Sequence, residues 1–201
     1  MSYINNQKEF EEKYHQLDNY VKRKLSEKRY KHTVSVVGEA KKLAQLNEMT
    51  EEDTRRVVLA AIFHDAAKEI TQDEQSRLIE KFGLDKKYLG NPNLAHGKLA
   101  SKMIEDLFDI KDEEIINGIS FHTTGRKFMS QVEKIVFIAD GIEPLRNYDG
   151  VDAIRKVTWN NLDKGCHKML VETIEHLKKK SKAPIDTDTV EAEQWLREII
   201  K

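Results

Sequence analysis

The sequence predicts an all-α protein folded as a single-domain helical bundle, and three observations carry that expectation. Only three prolines and nine glycines punctuate the 201 residues. The apolar residues recur mostly at spacings of three and four, with few long alternating runs, which is the period of helices and not of strands. The length suffices for one well-buried core and falls short of two comfortable domains. Charge narrows the function classes: 34 Lys and Arg stand against 35 Asp and Glu. No global field therefore draws in nucleic acid or an anionic membrane, and any affinity for phosphate has to be local. The single Cys166 excludes an internal disulfide and a cysteine-built zinc site, and it fits a reducing, cytoplasmic compartment. The stretch Met1 to Phe10 is polar, and no apolar run approaches the roughly 20 residues that span a bilayer.

A first helix is expected from about Gln7 to Ser26, with Phe10, Tyr14, Leu17, Val21 and Leu25 as its apolar stripe and His15 off it. A second runs from about Arg29 to Asn47, burying Val34, Val37, Ala40, Leu43 and Leu46, with His32 in its first turn. Thr50 caps a third that continues through the apolar run Val57 to Ile62 as far as Lys68. Thr71-Gln72-Asp73-Glu74 is a capping-box pattern opening a short helix that stops near Gly83. After Gly90-Asn91-Pro92 a helix carries His96 with Leu94, Leu99, Met103, Ile104 and Leu107; another, from Asp112, carries Ile115, Ile116, Ile119 and finally His122. Ser130-Gln131-Val132-Glu133 is a second capping box, and it tips the run Ile135 to Asp140 from strand to helix, with Pro144 as its stop. One long helix follows from about Asp152 to Lys180, with Ile154, Val157, Leu162, Met169, Leu170, Ile174 and Leu177 inward and His167 and His176 as ordinary surface residues. A loop over Ala183 to Asp188 leads to a last helix holding Trp195, Leu196, Ile199 and Ile200.

The chemistry concentrates at Phe63-His64-Asp65-Ala66-Ala67-Lys68, which sets two metal-ligand side chains directly after an apolar run. A carboxylate so placed needs a compensating charge, and a metal ion is the simplest one. Asp65 has two oxygens with which to reach two ions, which suits the bridging carboxylate of a two-metal site. Lys68, four residues after His64, shares its helix face and aims at whatever the metal binds, an anionic group such as phosphate being the natural expectation. His32, His96, His122 and Asp140 complete the set. They lie on separate helical segments at the border of apolar stretches, so that a bundle could aim all six at one interior point. Imidazole and carboxylate without thiolate suit divalent iron, manganese, cobalt, zinc or magnesium, the histidine count arguing against magnesium alone. Two such ions would acidify a shared water, orient it for in-line attack and stabilise charge developing on phosphorus.

The ordered set His32, His64-Asp65 and Asp140 resembles the HD-domain superfamily of metal-dependent phosphohydrolases. More narrowly, Arg29-Tyr30-Lys31-His32-Thr33, His64-Asp65-Ala66-Ala67-Lys68, His96-Gly97, His122-Thr123-Thr124-Gly125 and Ala139-Asp140-Gly141-Ile142-Glu143-Pro144-Leu145-Arg146 resemble its YqeK family. The resemblance covers roughly Lys24 to the C-terminus. It implies an HD-type domain over residues 24–201, with residues 1–23 as a helix outside the resemblance and packed on that domain. It also implies symmetrical cleavage of diadenosine tetraphosphate to two ADP at a centre of two divalent ions, with iron favoured over manganese, cobalt or zinc. Carried residue by residue, it implies His32, His64, Asp65 and Asp140 around one metal, and Asp65 bridging to a second held by His96 and His122. Asp65 and Lys68 then act in catalysis. Arg29, Lys68 and Arg146 face the polyphosphate, and Ala183, Pro184, Ile185, Asp186, Thr187 and Asp188 hold the nucleotide. The sequence departs from the family after Thr189-Val190-Glu191-Ala192, where Arg-Asn usually follows and Glu193-Gln194 stand here.

The expected partner is a small nucleotide, with a homodimer compatible and neither nucleic acid nor membrane expected. The leading expectation is attack by a metal-bridging hydroxide on an inner phosphorus of a dinucleoside tetraphosphate. The alternatives are the same centre acting on a nucleoside triphosphate, cyclic nucleotide or monoester, and a non-catalytic module sensing ADP or GDP. A purely structural bundle would leave Asp65 and Asp140 beside apolar runs without a partner.

Overall fold

The fold is entirely helical among the described residues, which in this computed structural model are 2–180 and 183–201; Met1, the first residue of the expected N-terminal segment, lies outside them. The helices are α1 (Ser2–Asn5), α2 (Gln7–Lys24), α3 (Glu27–Leu46), α4 (Glu51–Phe63), α5 (Gln72–Lys81), α6 (Pro92–Phe108), α7 (Glu113–Ser120), α8 (Gln131–Ile142), α9 (Val151–Asn160), α10 (Leu162–Lys180) and α11 (Thr187–Ile199), with a 3-10 turn at Lys86–Tyr88. None is long and apolar enough to cross a membrane.

Two helices with long stretches buried on every side form the centre. In α4 every residue from Val57 to Phe63 is buried, and in α8 every residue from Val132 to Ala139. Around this pair, α3 and α7 touch both, α2 packs on α4, and α10 packs on α8. Leu17 and Val21 of α2 belong to the same hydrophobic core as α4 and α8. The starts of the central helices are fixed by their caps. The Thr50 hydroxyl accepts the Asp53 N–H at 3.1 Å, and Ser130 and Glu133 form a complete capping box. The otherwise unpaired charge of buried Glu133 is held by a bidentate fork from Arg126 at 2.6 and 2.7 Å.

Several expectations are corrected. The second helix buries Thr33, Val36, Val37, Ala40, Leu43 and Ala44, while Val34 and Leu46 are exposed. The inward face is thus rotated so that His32 and Thr33 turn toward the core. Leu107 and Leu177 are likewise exposed. The third helix ends at Phe63, not Lys68. Beyond it the chain tightens into turns with three-residue hydrogen bonds, Ala66 N–H to Phe63 O at 3.0 Å and Lys68 N–H to Asp65 O at 2.9 Å. His122 likewise lies in a turn just past α7. The expected long helix is two, broken at Asn161, whose backbone is extended and whose side chain accepts the Lys164 N–H at 2.8 Å to restart α10. The break folds α10 back on α9, and Gly165 makes that contact possible, because a Cβ there would lie 2.7 Å from the Thr158 backbone. Cys166 follows, fully buried, with its Sγ 3.6 Å from the Lys134 carbonyl of α8.

Candidate metal centre

The six residues expected to ligate metal come together where α3, the end of α4, α6, the end of α7 and α8 meet. Glycine supplies part of the closeness: a Cβ on Gly97 would lie 3.1 Å from the His122 ring, so only a bare backbone lets α6 and the α7 turn approach and set His96 beside His122. The Asp65 oxygens face opposite ways. Oδ1 is 3.2 Å from His96 Nε2 and 3.8 Å from His122 Nε2, while Oδ2 is 3.5 Å from His64 Nε2 and 3.7 Å from His32 Nε2. Asp140 Oδ1 is 3.0 Å from His32 Nε2 and 3.9 Å from His64 Nε2. Two overlapping groups result, His32 with His64 and Asp140, and His64 with Asp65 and His122.

The tautomers follow from the partners of the other ring nitrogens. Nδ1–H of His64 donates to Ala61 O at 2.7 Å, that of His122 to Ile119 O at 2.7 Å, that of His96 to Pro92 O at 3.1 Å, and that of His32 to Glu143 Oε1 at 3.0 Å. In each neutral ring Nε2 therefore turns inward as a lone pair, open to a proton or a metal ion. His96 Nε2 and His122 Nε2 lie 3.0 Å apart, and buried His32 Nε2 and His64 Nε2 have no hydrogen-bond partner. The Thr123 hydroxyl, 3.2 Å from His122 Nε2 and 3.4 Å from His96 Nε2, can donate to one of that pair, and the other lone pair calls for a proton or a cation. The donor set, imidazole nitrogen with carboxylate oxygen and every second nitrogen anchored, fits divalent transition metal ions.

Electrostatics make the same demand. Burial opposes ionisation of Asp65, yet the charge and close approach of His64, with His96 beside it, hold its carboxyl well below the usual range. Burial likewise opposes Asp140, and the close approach of His32 with the charges of His64 and Arg146 outweighs it. His64 itself is raised, burial being overcome by Asp65 and Asp140. His122 is pushed down to about 3 by burial and by the neighbouring His96 and His64. Two ionised carboxylates thus call for positive charge, and two arginines answer in part. Arg29 Nη1 donates to Asp65 Oδ2 at 2.9 Å, and Arg146 Nη2 donates to Asp140 Oδ1 at 2.6 Å. Lys68 approaches Asn93 Oδ1 at 3.5 Å; burial lowers its pKa, with Asp65 and Asp140 acting against that.

Two contributors escaped the sequence reading. Glu143, 1 % exposed, anchors His32 with one oxygen and accepts the Leu145 N–H with the other at 2.6 Å. Arg155 of α9 donates to the carbonyls of Ile142, Glu143 and Arg146 at 2.7–2.9 Å, pinning the turn that carries Glu143 and Arg146. The only sequence signal was the position of Glu143 between Asp140 and Pro144. In the loop, Ala183, Pro184, Ile185 and Asp186 line a cleft, with Asn93 and Thr123 on its inner side. Thr187 and Asp188 do not line it; they open α11, which Asp186 caps. His15 and His176 are exposed. His167 is bound instead to Glu193, 3.1 Å away, so the residue that departs from the family pattern has a structural partner.

A family model described as HD domain matches residues 29–145. The chain is 35% identical over 177 residues to the symmetrical bis(5'-nucleosyl)-tetraphosphatase of Bacillus subtilis strain 168, covering 88% of this chain and 93% of that one. It is 39% identical over 171 residues to the protein of the same name from Halalkalibacterium halodurans, covering 85% and 89%. Among solved structures it matches a "predicted HD superfamily hydrolase involved in NAD metabolism" from Clostridium acetobutylicum with a TM-score of 0.84 and 34% identity, covering 92% of this chain and 97% of that one.

Proposed function

The chain belongs to the HD-domain family, and from that premise we propose that it is a metal-dependent hydrolase of dinucleoside tetraphosphates that converts diadenosine tetraphosphate and water to two ADP. One observation carries the proposal: the Nε2 atoms of His32 and His64 are buried without a hydrogen-bond partner where the carboxylates of Asp65 and Asp140 and the rings of His96 and His122 converge. In this reading His32, His64, Asp65 and Asp140 hold one divalent ion, and Asp65 with His96 and His122 a second, iron being favoured over manganese, cobalt or zinc. When bound, such ions supply Lewis acidity toward phosphoryl oxygens and lower the pKa of water.

The rest falls to the chain. Arg29 and Arg146 line a cavity of about 420 Å³ together with Lys28, beside His32. Their guanidinium forks match phosphate oxygens, and an incoming polyphosphate offers them an anion to exchange for Asp65 and Asp140. Lys68 adds a point charge, and the desolvation that lowers its pKa strengthens any contact it makes with phosphate. The cleft at Ala183 to Asp186 takes one nucleoside, held by apolar contact with Leu94, Leu177 and Ile185 and oriented by Asn91 and Asn93. Residues 24–201 act as the hydrolase domain, with the N-terminal helix α2 as a buttress behind α4. A reducing cytoplasm suits both the substrate class and the single buried thiol.

The test is product analysis. Purified protein of measured metal content is incubated with diadenosine tetraphosphate and the products are resolved by ion-exchange chromatography. ADP as sole product is expected; AMP with ATP would overturn symmetrical cleavage, and no turnover with metal bound would overturn the hydrolase reading. Asp65→Ala should abolish turnover with helicity retained, and undiminished activity in that variant would sink the bridging role.

A further inference from the structure

A second cavity, unused so far, adjoins the loop cleft at α10. It measures about 410 Å³ and opens at Gly141 and Arg146, next to Asp140. Tyr148, Met169, His176 and Leu177 form its walls together with the carboxylates Asp149 and Glu172, and Thr173 and Leu177 of α10 line both this cavity and the loop cleft of about 370 Å³. Charged and polar groups of the centre border both clefts. Arg146 borders both the second cavity and the basic cavity beside His32, while Asn93, which Lys68 approaches, and Thr123 border the loop cleft.

The walls of the second cavity are held in place before any ligand arrives. The Tyr148 hydroxyl donates to the Gly141 carbonyl at 3.0 Å, and Met169 packs so tightly on Gly141 that a Cβ there would lie 2.2 Å from its methyl group. Tyr148 and Leu177 nevertheless stay 39% and 38% exposed, so a ring and an aliphatic face are offered side by side to solvent. An aromatic ring with a neighbouring thioether is a stacking surface for a purine, as base–aromatic stacking is tolerant of sequence and substantial in size.

We propose that the second nucleoside of the dinucleoside tetraphosphate binds in the Tyr148–Met169–Leu177 cavity, its phosphates crossing Arg146 toward the carboxylates and the first nucleoside lying in the loop cleft. The proposal rests on the tetraphosphatase reading and deepens it. Cleavage at the central anhydride needs only one end held at a fixed distance; a cleft for the far end adds preference for a molecule with a nucleoside at each end over one with a single nucleoside.

The experiment measures binding to the metal-loaded protein of the methylene-bridged, uncleavable analogue of diadenosine tetraphosphate and, separately, of adenosine 5'-tetraphosphate. Tyr148→Ala should weaken the first about five- to hundredfold and the second less than about twofold, while Tyr148→Phe keeps the ring and both affinities. Equal weakening of the two ligands, or of neither, would overturn the second nucleoside site. If the wild-type protein makes ADP from diadenosine tetraphosphate and Tyr148→Ala leaves the preference untouched, only this proposal fails. If the wild-type protein neither cleaves the substrate nor binds its analogue, the tetraphosphatase reading fails and this one with it.

Discussion

His32 depends on a carboxylate 111 residues further along the chain, for Glu143 receives its Nδ1–H and so keeps Nε2 bare and aimed inward. Glu143→Ala should lower metal affinity about ten- to a hundredfold, the usual cost of losing such an anchoring partner, as read by metal content after dialysis against graded free metal. Glu143→Gln retains an acceptor oxygen and should fall between. Lys98 shows a different kind of burial. It is 8% exposed, its Nζ is 3.2 Å from the centre of the Phe121 ring and 3.8 Å from Asp188 Oδ2, and burial pushes its pKa down to about 8 despite the help of Asp188 and Asp186. Its folded pKa lies below the ordinary 10.5. Between those values the unfolded chain keeps a proton that the folded chain has released, so stability should climb as pH rises through that window, by on the order of 3 kcal/mol in all. Denaturation midpoints compared across pH 8 to 10.5 should show this climb in the wild type relative to Lys98→Met. At this scale the sequence was most informative where residue type alone restricts chemistry, as with the six His and Asp side chains. It placed Glu143 in a motif without a role, because a glutamate before a proline reads as an ordinary helix end until His32 is seen against it.

Among the elements, the junction of α9 and α10 is the most sharply constrained. Gly165→Ala should gain about 1 kcal/mol of helix propensity and lose more, because the new methyl meets the Thr158 backbone, which cannot swing aside. Overpacking of that kind costs about 1–3 kcal/mol or more, so a lower denaturation midpoint with unchanged secondary structure is expected. The break that brings these helices together was hidden in the sequence. The apolar spacing runs on in register from Ile154 to Leu170, and Asn160-Asn161 is compatible with either a helix or a turn. The end of α4 is hidden for a related reason: His64, Asp65 and Lys68 fit a continuing helix, and only tertiary packing tightens the chain there. Caps fared better, since Thr50, Thr71 and Ser130 each state their role within four residues.

For the whole molecule, the candidate ligands tie together α3, α4, α6, α7 and α8 at one interior point. Metal held there would stabilise the native state by mass action, about 2.7 kcal/mol at a hundredfold excess over the dissociation constant. Chelation should therefore lower the melting temperature in calorimetry, and restoring the metal should restore it; a melting temperature indifferent to a measured loss of metal would speak against this tie. The helical class was legible because period and punctuation act locally, whereas the clefts around α10 were not, since they exist only where segments distant in sequence face each other. One further consequence follows from Cys166. Its thiol is fully buried in α10 against α8, and burial drives its pKa up, so neither access nor thiolate is at hand in the closed protein. A maleimide or disulfide reagent can react there only while the two helices are momentarily apart. The chain thus carries a native clock for its own breathing, in which the rate of a single modification, followed by mass, reports how often the innermost layer opens.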